Sequence, residues 1–299
     1  MSGETNSERN GKRKNTAPEK HHGKKPKTKP NFEFGNYNQY YGYRNINECV
    51  DPRIAAFHRR KELFENKDVL DIGCNIGHVT YIIARDLNPK SVLGIDIDNS
   101  LINIARKNRR HYCNNLSSTS TCVPNSVPES ENSQKSSENG NVLMKKETDS
   151  PTPALSNEST IRCLQFPDNI SFIHGNYVLD HDNLLDLEEP QYDVILCLSV
   201  TKWIQLNWGD DGLKRVFKRV YSQLRPGGVF ILEAQPWESY RKKKLSAKLK
   251  SNCRDITFYP RMFKDYLLSE IGFLRNEILE IPNHNSKGFQ RPIGLYYKR

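Results

Sequence analysis

Two acids and two glycines carry the first chemistry in this 299-residue chain. Asp71, Gly73 and Gly77 lie in the run Asp68-Val69-Leu70-Asp71-Ile72-Gly73-Cys74-Asn75-Ile76-Gly77, and Asp96 ends Ser91-Val92-Leu93-Gly94-Ile95-Asp96. The first run opens apolar and β-branched, turns at Gly73 and enters a helix after Gly77. A strand, a glycine turn and a helix N-terminus in succession bring backbone N–H groups to an anionic or polar ligand. Glycine at the turn lets a ligand approach the main chain, because it has no Cβ. The spacing is D-x-G-x-x-x-G, not the G-x-G-x-x-G of a dinucleotide turn. An acid at the tip of the following strand suits the two hydroxyls of a ribose. The pattern predicts a nucleoside-containing ligand over the ends of two parallel strands. The alternative reading is an NAD-binding or non-catalytic Rossmann domain.

A second set of residues is aromatic and cationic. Phe32-Glu33-Phe34-Gly35-Asn36-Tyr37-Asn38-Gln39-Tyr40-Tyr41-Gly42-Tyr43-Arg44 is too aromatic for a linker. It reads equally as a strand or hairpin packed on the core and as a lid whose rings cover a cofactor or stack on a base. Thr201-Lys202-Trp203 and Asn207-Trp208-Gly209-Asp210 follow an apolar strand, and Pro282 to Pro292 mixes turn residues with cations. The chain carries 45 Lys and Arg against 35 Asp and Glu, a formal charge of +10 that favours an acidic partner such as nucleic acid or a phosphorylated substrate. Lys12-Arg13-Lys14 and Lys24-Lys25-Pro26-Lys27 read as nuclear-localisation or RNA-contacting clusters in a solvated tail. Seven scattered cysteines, never in C-x-x-C spacing, predict neither a zinc site nor a disulfide framework, and no metal is expected. No apolar run of membrane length or signal peptide is seen. A soluble protein of a reducing compartment follows.

The elements that must position these residues alternate strand and helix. Residues 54–66 read as a helix, followed by strands at Asp68, at Ser91–Asp96 and at Ile170–His174. Helices run from Gly77 to about Leu87, where Pro89 stops the pattern, and from Asn99 to about Tyr112 with Asp98 or Asn99 as cap. Tyr192–Val200 is nearly all apolar, as a strand covered on both faces should be. Residues 212–224 read as a helix, Arg225-Pro226-Gly227-Gly228 as a turn, and Val229–Glu233 as a fifth strand. A helix from Pro260 to about Glu270 and strands near Asn276–Glu280 and Ile293–Tyr297 complete the sheet. Residues 1–31 predict a disordered basic tail, and 32–299 one domain. Within it, about 113–165 is rich in Ser, Thr, Asn and Pro, and predicts a disordered insertion dispensable for catalysis. The mean hydropathy of −0.75 agrees with part of the chain being unpacked.

The paired strand-end acids and the glycine turn resemble motifs I and II of the class I S-adenosylmethionine (SAM) methyltransferases. This implies a Rossmann-like α/β fold with a mixed seven-stranded sheet and helices on both faces. Longer strings narrow the resemblance. Phe34–Tyr37, Tyr41–Arg44, Gly175-Asn176-Tyr177-Val178, Leu198–Asp210 and Ser286–Pro292 are similar, in the same order, to the bicoid-interacting methyltransferase family. The resemblance covers roughly 32–112 and 166–299, and implies transfer of a methyl group from SAM to the γ-phosphate of a small nuclear RNA 5′ triphosphate, with a 7SK-like RNA as substrate. It implies cofactor contacts at Tyr41, Arg53, Gly73, Cys74, Asn75, Asp96, Ile97, Asn176, Tyr177 and Leu198. It implies RNA contacts at Tyr43, Arg44, His284, Lys287 and Arg291, and a catalytic role for Lys202 and Trp203. The local sequence around Arg53 departs from the family's pattern. A nuclear monomer, with a La-related RNA-binding protein in the same particle, goes with this resemblance. A 5′-monophosphate RNA methyltransferase and a non-catalytic RNA-binding scaffold are the alternatives.

The chemistry agrees with the absence of a Ser-His-Asp or paired-carboxylate set. A terminal phosphate has its second pKa at about 6, so it attacks a methyl donor without a general base. What the protein must supply is position, and cations for the triphosphate. Lys202, Lys287 and Arg291 are expected to do so from loops beyond the strand ends. Trp203 either stacks on the first base, worth roughly 1–3 kcal/mol, or packs beneath a loop.

Overall fold

The structure is a computed structural model that describes residues 33–35, 51–114, 164–241, 245–281 and 291–299. The sheet is built from β1 (Asp68–Ile72), β2 (Ser91–Asp96), β3 (Ile170–His174), β4 (Tyr192–Leu198), β5 (Leu224–Glu233), β6 (Arg275–Leu279) and β7 (Ile293–Tyr297). Their spatial order is β3-β2-β1-β4-β5-β7-β6, with β7 antiparallel to both of its neighbours and the rest parallel. The helices are α1 (Pro52–Arg59), α2 (His78–Asp86), α3 (Asn99–Asn114), α4 (Thr201–Gln223), α5 (Ala247–Asp255) and α6 (Phe263–Tyr266). This is the mixed seven-stranded sheet of the class I methyltransferase fold. Among the described residues no helix is long and apolar enough to cross a membrane.

The continuous apolar character of β4 has the expected cause. Val194, Leu196 and Leu198 join the core on one face, with α2 and α3, while Ile195 and Cys197 join the core on the other, with α4 and the 258–273 segment. Register then fixes the site. Ile72 is paired with Ile95 on one side and Cys197 on the other, and Leu198 with Glu233. Gly73, Asp96, Ser199 and Glu233 therefore emerge at one edge of the sheet. The chain runs outward from β1 through β2 to β3 and then returns to the other flank of β1 as β4. The crevice between β1 and β4 is thus the topological switch point, where open α/β sheets bind ligands.

Three boundaries differ from the sequence expectation, and one of the two expected caps is selected. The helix expected over 54–66 ends at Arg59, and a short 3₁₀ turn, Lys61–Leu63, follows. Asp98, not Asn99, caps α3, its Oδ1 accepting from the N–H and hydroxyl of Ser100 at 2.8 and 2.6 Å. The turn at Arg225–Gly228 lies inside β5: pairing passes from Tyr192–Leu224 directly to Val194–Val229, so these residues form a bulge, with Gly227 at φ 75°. Finally, α4 begins at Thr201, where only unassigned chain was expected, and breaks at Gly209 (φ 67°). Its first turn has no side-chain cap of its own. Gln235, beyond β5, accepts from the Lys202 N–H and the Thr201 hydroxyl instead, at 3.2 and 3.1 Å. A cap supplied from 34 residues downstream leaves no local signal.

Candidate active site

The turn after β1 is stapled to β2: the N–H groups of Gly73 and Cys74 both donate to the Ile95 carbonyl, at 2.8 and 3.1 Å. Gly73 is required by packing as well as by its φ of 71°. A Cβ there would lie 2.4 Å from Cγ2 of Val200, so the space expected to admit a ligand is filled by the β4–α4 junction. Gly73→Ala should destabilise the fold by about 2–4 kcal/mol, from left-handed strain plus overpacking. Adding Val200→Ala should return the packing part only, which denaturant titration of the two variants would read.

Asp96 is the best-defined polar group at this edge. Its side chain is buried, and its two oxygens accept from different main-chain donors: Oδ2 from Asn75 N–H and Oδ1 from Asp98 N–H, both at 2.9 Å. Burial raises its carboxyl above the ordinary range, and the two N–H groups pull it partly back. Each oxygen keeps acceptor capacity for one more donor, which is what a vicinal diol requires. A ribose therefore fits here on the residues present. Asn75, at φ 55°, is turned to deliver its N–H to Asp96. Asp71, one strand over, is lifted to about 6 by burial, with the Thr80 hydroxyl at 2.6 Å and the charge of Arg53 opposing.

The remaining expected cofactor residues are less uniform. Leu198 and Cys74 are buried, and burial, with Asp71 and Asp96 nearby, pushes the Cys74 thiol well up, so it is no thiolate nucleophile. Ile97 is half-buried, with His174 Nε2 3.0 Å from its carbonyl. Asn176 is exposed and its Oδ1 accepts from Val178 N–H at 3.0 Å, an Asx turn that leaves Nδ2 as its ligand donor. The Tyr177 ring faces the core, not the strand-end crevice. Its hydroxyl donates to Gln223 at 2.8 Å, Arg219 lies 4.4 Å over its ring, and Arg219 also takes its carbonyl at 2.7 Å. Only the Tyr177 N–H is left for a ligand.

Arg53 opens onto a feature the sequence reading missed. Its guanidinium, 1% exposed, pairs with Asp51 at 2.6 Å and with Glu233 at 3.0 Å, both carboxylates being fully buried. Glu233 also accepts from Arg291 Nε at 3.0 Å and from the Ser199 hydroxyl at 2.7 Å, and Arg291 Nη2 contacts Ser199 Oγ at 2.9 Å. Among the described residues, two acids and two arginines thus pair with one another at the ends of β4 and β5. Ser199 sits at φ 64°, a backbone cost that such a network can hold in place. Arg291, expected on a loop facing RNA phosphates, is instead anchored here, with 13% of its side chain exposed. The signal was present in the sequence. Glu233 closes the apolar run Val229-Phe230-Ile231-Leu232, just as Asp96 closes β2.

Lys202 lies in the first turn of α4, not on a loop, and is 5% exposed. Its Nζ donates to the Ser239 carbonyl at 2.7 Å and stands 4.5 Å over the Trp203 ring. Trp203 carries Gly35 against its ring, so closely that a Cβ on Gly35 would lie 2.2 Å away. Asn207 holds the same segment through the Glu33 carbonyl at 3.0 Å, and Phe34 stacks on Trp208. The Phe34–Gly35 segment therefore packs on α4. Tyr41, Tyr43, Arg44, His284 and Lys287 lie outside the described residues, as does about 115–163 of the expected insertion. Among the described residues no cluster of His, Cys, Asp and Glu is placed to hold a metal.

With this geometry in hand, sequence comparison gives a consistent picture. The family described as Bicoid-interacting protein 3 (Bin3) matches residues 192–298, and a methyltransferase domain family matches 63–130. The 7SK snRNA methylphosphate capping enzyme of Mus musculus is 43% identical over 279 residues, 89% of this chain but 41% of that protein. This chain thus spans about two fifths of the length of that relative. The U6 snRNA methylphosphate capping enzyme Amus of Drosophila melanogaster is 42% identical over 90% of this chain and 75% of its own length. A probable RNA methyltransferase of Arabidopsis thaliana is 39% identical over 92% of this chain and 83% of its own. Identity of this degree, across nearly the whole chain and most of the fly and plant proteins, makes this protein a member of the Bin3 family of methyltransferases.

Proposed function

We propose that this chain transfers a methyl group from SAM to the outermost phosphate of a small nuclear RNA bearing a 5′ triphosphate. The observation that carries the reading is Asp96, with acceptor capacity for a diol, and the Lys202–Trp203 turn of α4, both beyond the ends of parallel strands of one sheet, in a chain 42–43% identical to proteins named as methylphosphate capping enzymes. SAM supplies an electrophilic methyl on a sulfonium; one phosphate oxygen gains the O–C bond as the S–C bond breaks. The oxygen needs no proton removed, since a terminal phosphate is largely dianionic near neutral pH. Asp96 holds the ribose end of the donor, and Arg53 with its carboxylate partners lines the same edge. Lys202 brings a cation whose position is fixed by Ser239 and by Trp203, so little reorganisation is required when triphosphate charge arrives. A cation paired too closely with the attacking oxygen would blunt it, so Lys202 is assigned to a non-attacking oxygen.

The test uses labelled SAM and one RNA sequence with three 5′ ends. The triphosphate form should accept label, the 5′-hydroxyl form should not, and the label should leave with the outermost phosphate on pyrophosphatase digestion. Label on a base, a ribose or the protein would overturn the reading; equal labelling of a monophosphate end would reassign the acceptor. A nuclear location, a monomeric enzyme and a La-related RNA-binding partner belong to this proposal.

A further inference from the structure

Past the end of β5 the chain makes a 3₁₀ turn, Trp237–Arg241, and then α5; between them and Tyr259 lies an open groove of about 700 Å³. Its lining is unusual in combining aromatic rings with unneutralised cations. Trp237 meets Tyr259 edge-on at 4.8 Å. Arg241 stands 5.5 Å over Trp237, while Lys250 and Arg254 enter from α5. Among the described residues no acidic side chain lines the groove, and none of these three cations is in an ion pair. On other faces Arg215, Arg219 and Arg225 each sit on a carboxylate. Three exposed cations left without counter-charges around fixed rings are suited to a flexible polyanion with planar groups.

The groove is also joined to the proposed active site. Its floor is a small satellite core of Leu206, Tyr240, Leu249 and Ile256, against which Trp203 packs from the α4 side and Trp237 from the groove side. Lys202 donates to Ser239 within the same 3₁₀ turn that supplies Trp237 and Arg241. The half-buried Cys253 thiol feels both Lys202 and Arg241, which oppose the upward push of its burial. A strand whose 5′ end is at Lys202 therefore has the groove as its neighbour.

We infer that this groove is a second RNA subsite, binding single-stranded nucleotides downstream of the 5′ end through phosphates on Arg241, Lys250 and Arg254 and bases on the Trp237–Tyr259 surface. Base stacking on aromatic or guanidinium planes and phosphate contacts to cations are the usual means of holding single strands without sequence preference. The inference rests on the proposal that the substrate is RNA, and goes beyond it in placing affinity away from the reacting phosphate. It separates two quantities: the reacting end sets turnover, and the groove sets the advantage of long RNA over short.

The experiment compares the full chain with the triple variant Arg241→Glu/Lys250→Glu/Arg254→Glu, using a 5′-triphosphate dinucleotide and a 5′-triphosphate 20-mer. The three side chains are exposed and unpaired, so the variant should keep its melting temperature and SAM affinity. KM for the 20-mer should rise at least tenfold at moderate salt, with a shallower salt dependence, while kcat/KM for the dinucleotide stays within twofold. A 20-mer ending in a 5′ hydroxyl, which cannot be methylated under the proposed reaction, should still slow alkylation of Cys253 in the unmodified protein, read by peptide mass mapping. That measurement stands even if phosphate methylation fails. An unchanged 20-mer KM in the variant, or Cys253 unprotected by the 20-mer, overturns the subsite. Protection by polyglutamate equal to that by RNA overturns its assignment to RNA.

Discussion

Glu233→Ala is expected to cost about 3–5 kcal/mol, the range for removing one partner from a buried ion pair. That corresponds to a fall in melting temperature of about 6–20 °C for a chain of this size. The reason is charge balance. Among the described residues Asp51, Glu233, Arg53 and Arg291 sum to zero, and without Glu233 two arginines face a single carboxylate, Asp51, already paired with Arg53, in a place with little access to water. Arg53 keeps its contact with Asp51, but Arg291 retains only the Ser199 hydroxyl among its described partners. A double-mutant cycle tests this. Glu233→Gln and Arg291→Gln should each destabilise, and together should cost clearly less than their sum, since the double variant is again neutral. Simple additivity would mean that the four groups act as separate pairs. SAM affinity should fall with Glu233→Ala as well, because Arg53 lines the edge proposed to hold the cofactor.

Asp96→Ala should weaken SAM binding by at least 100-fold while the sheet remains folded. Two hydrogen bonds from ribose hydroxyls to a carboxylate contribute about 1.5–3 kcal/mol each, and tenfold in affinity is about 1.4 kcal/mol. Calorimetry would measure it; unchanged affinity would remove Asp96 from the site. The pH dependence carries a sign. Burial raises the Asp96 carboxyl, so it takes up a proton as pH falls at a higher pH than an ordinary aspartate would. A protonated carboxyl loses acceptor capacity, so SAM affinity should start to fall above the usual carboxylate range. Asp96→Asn, which cannot titrate, should bind weakly at every pH and lack that fall.

What the sequence by itself determined was the part that depends on short-range pattern. Period-two and continuous apolar runs, each closed by a glycine, an acid or another polar residue, are enough to mark β1, β2, β3 and β4. Register among parallel strands then brings their ends to one edge. Asp96 was legible because a lone acid closing an apolar strand has a restricted set of uses, and the family resemblance was legible because whole strings persist. The tertiary structure decided everything that required a partner distant in the chain. Arg53 meets Glu233 across 180 positions, Arg291 meets it across 58, and α4 is capped by Gln235. No local window contains both members of such a pair, so Arg291 read as a phosphate contact and Lys202 as a loop cation. Tyr177 read as a cofactor residue, while its ring and carbonyl were taken by Gln223 and Arg219 on α4. A charged or aromatic side chain has the same letter whether it faces RNA or neutralises a buried carboxylate. Only the burial and pairing of that particular group, set by how the sheet closes, distinguishes the two.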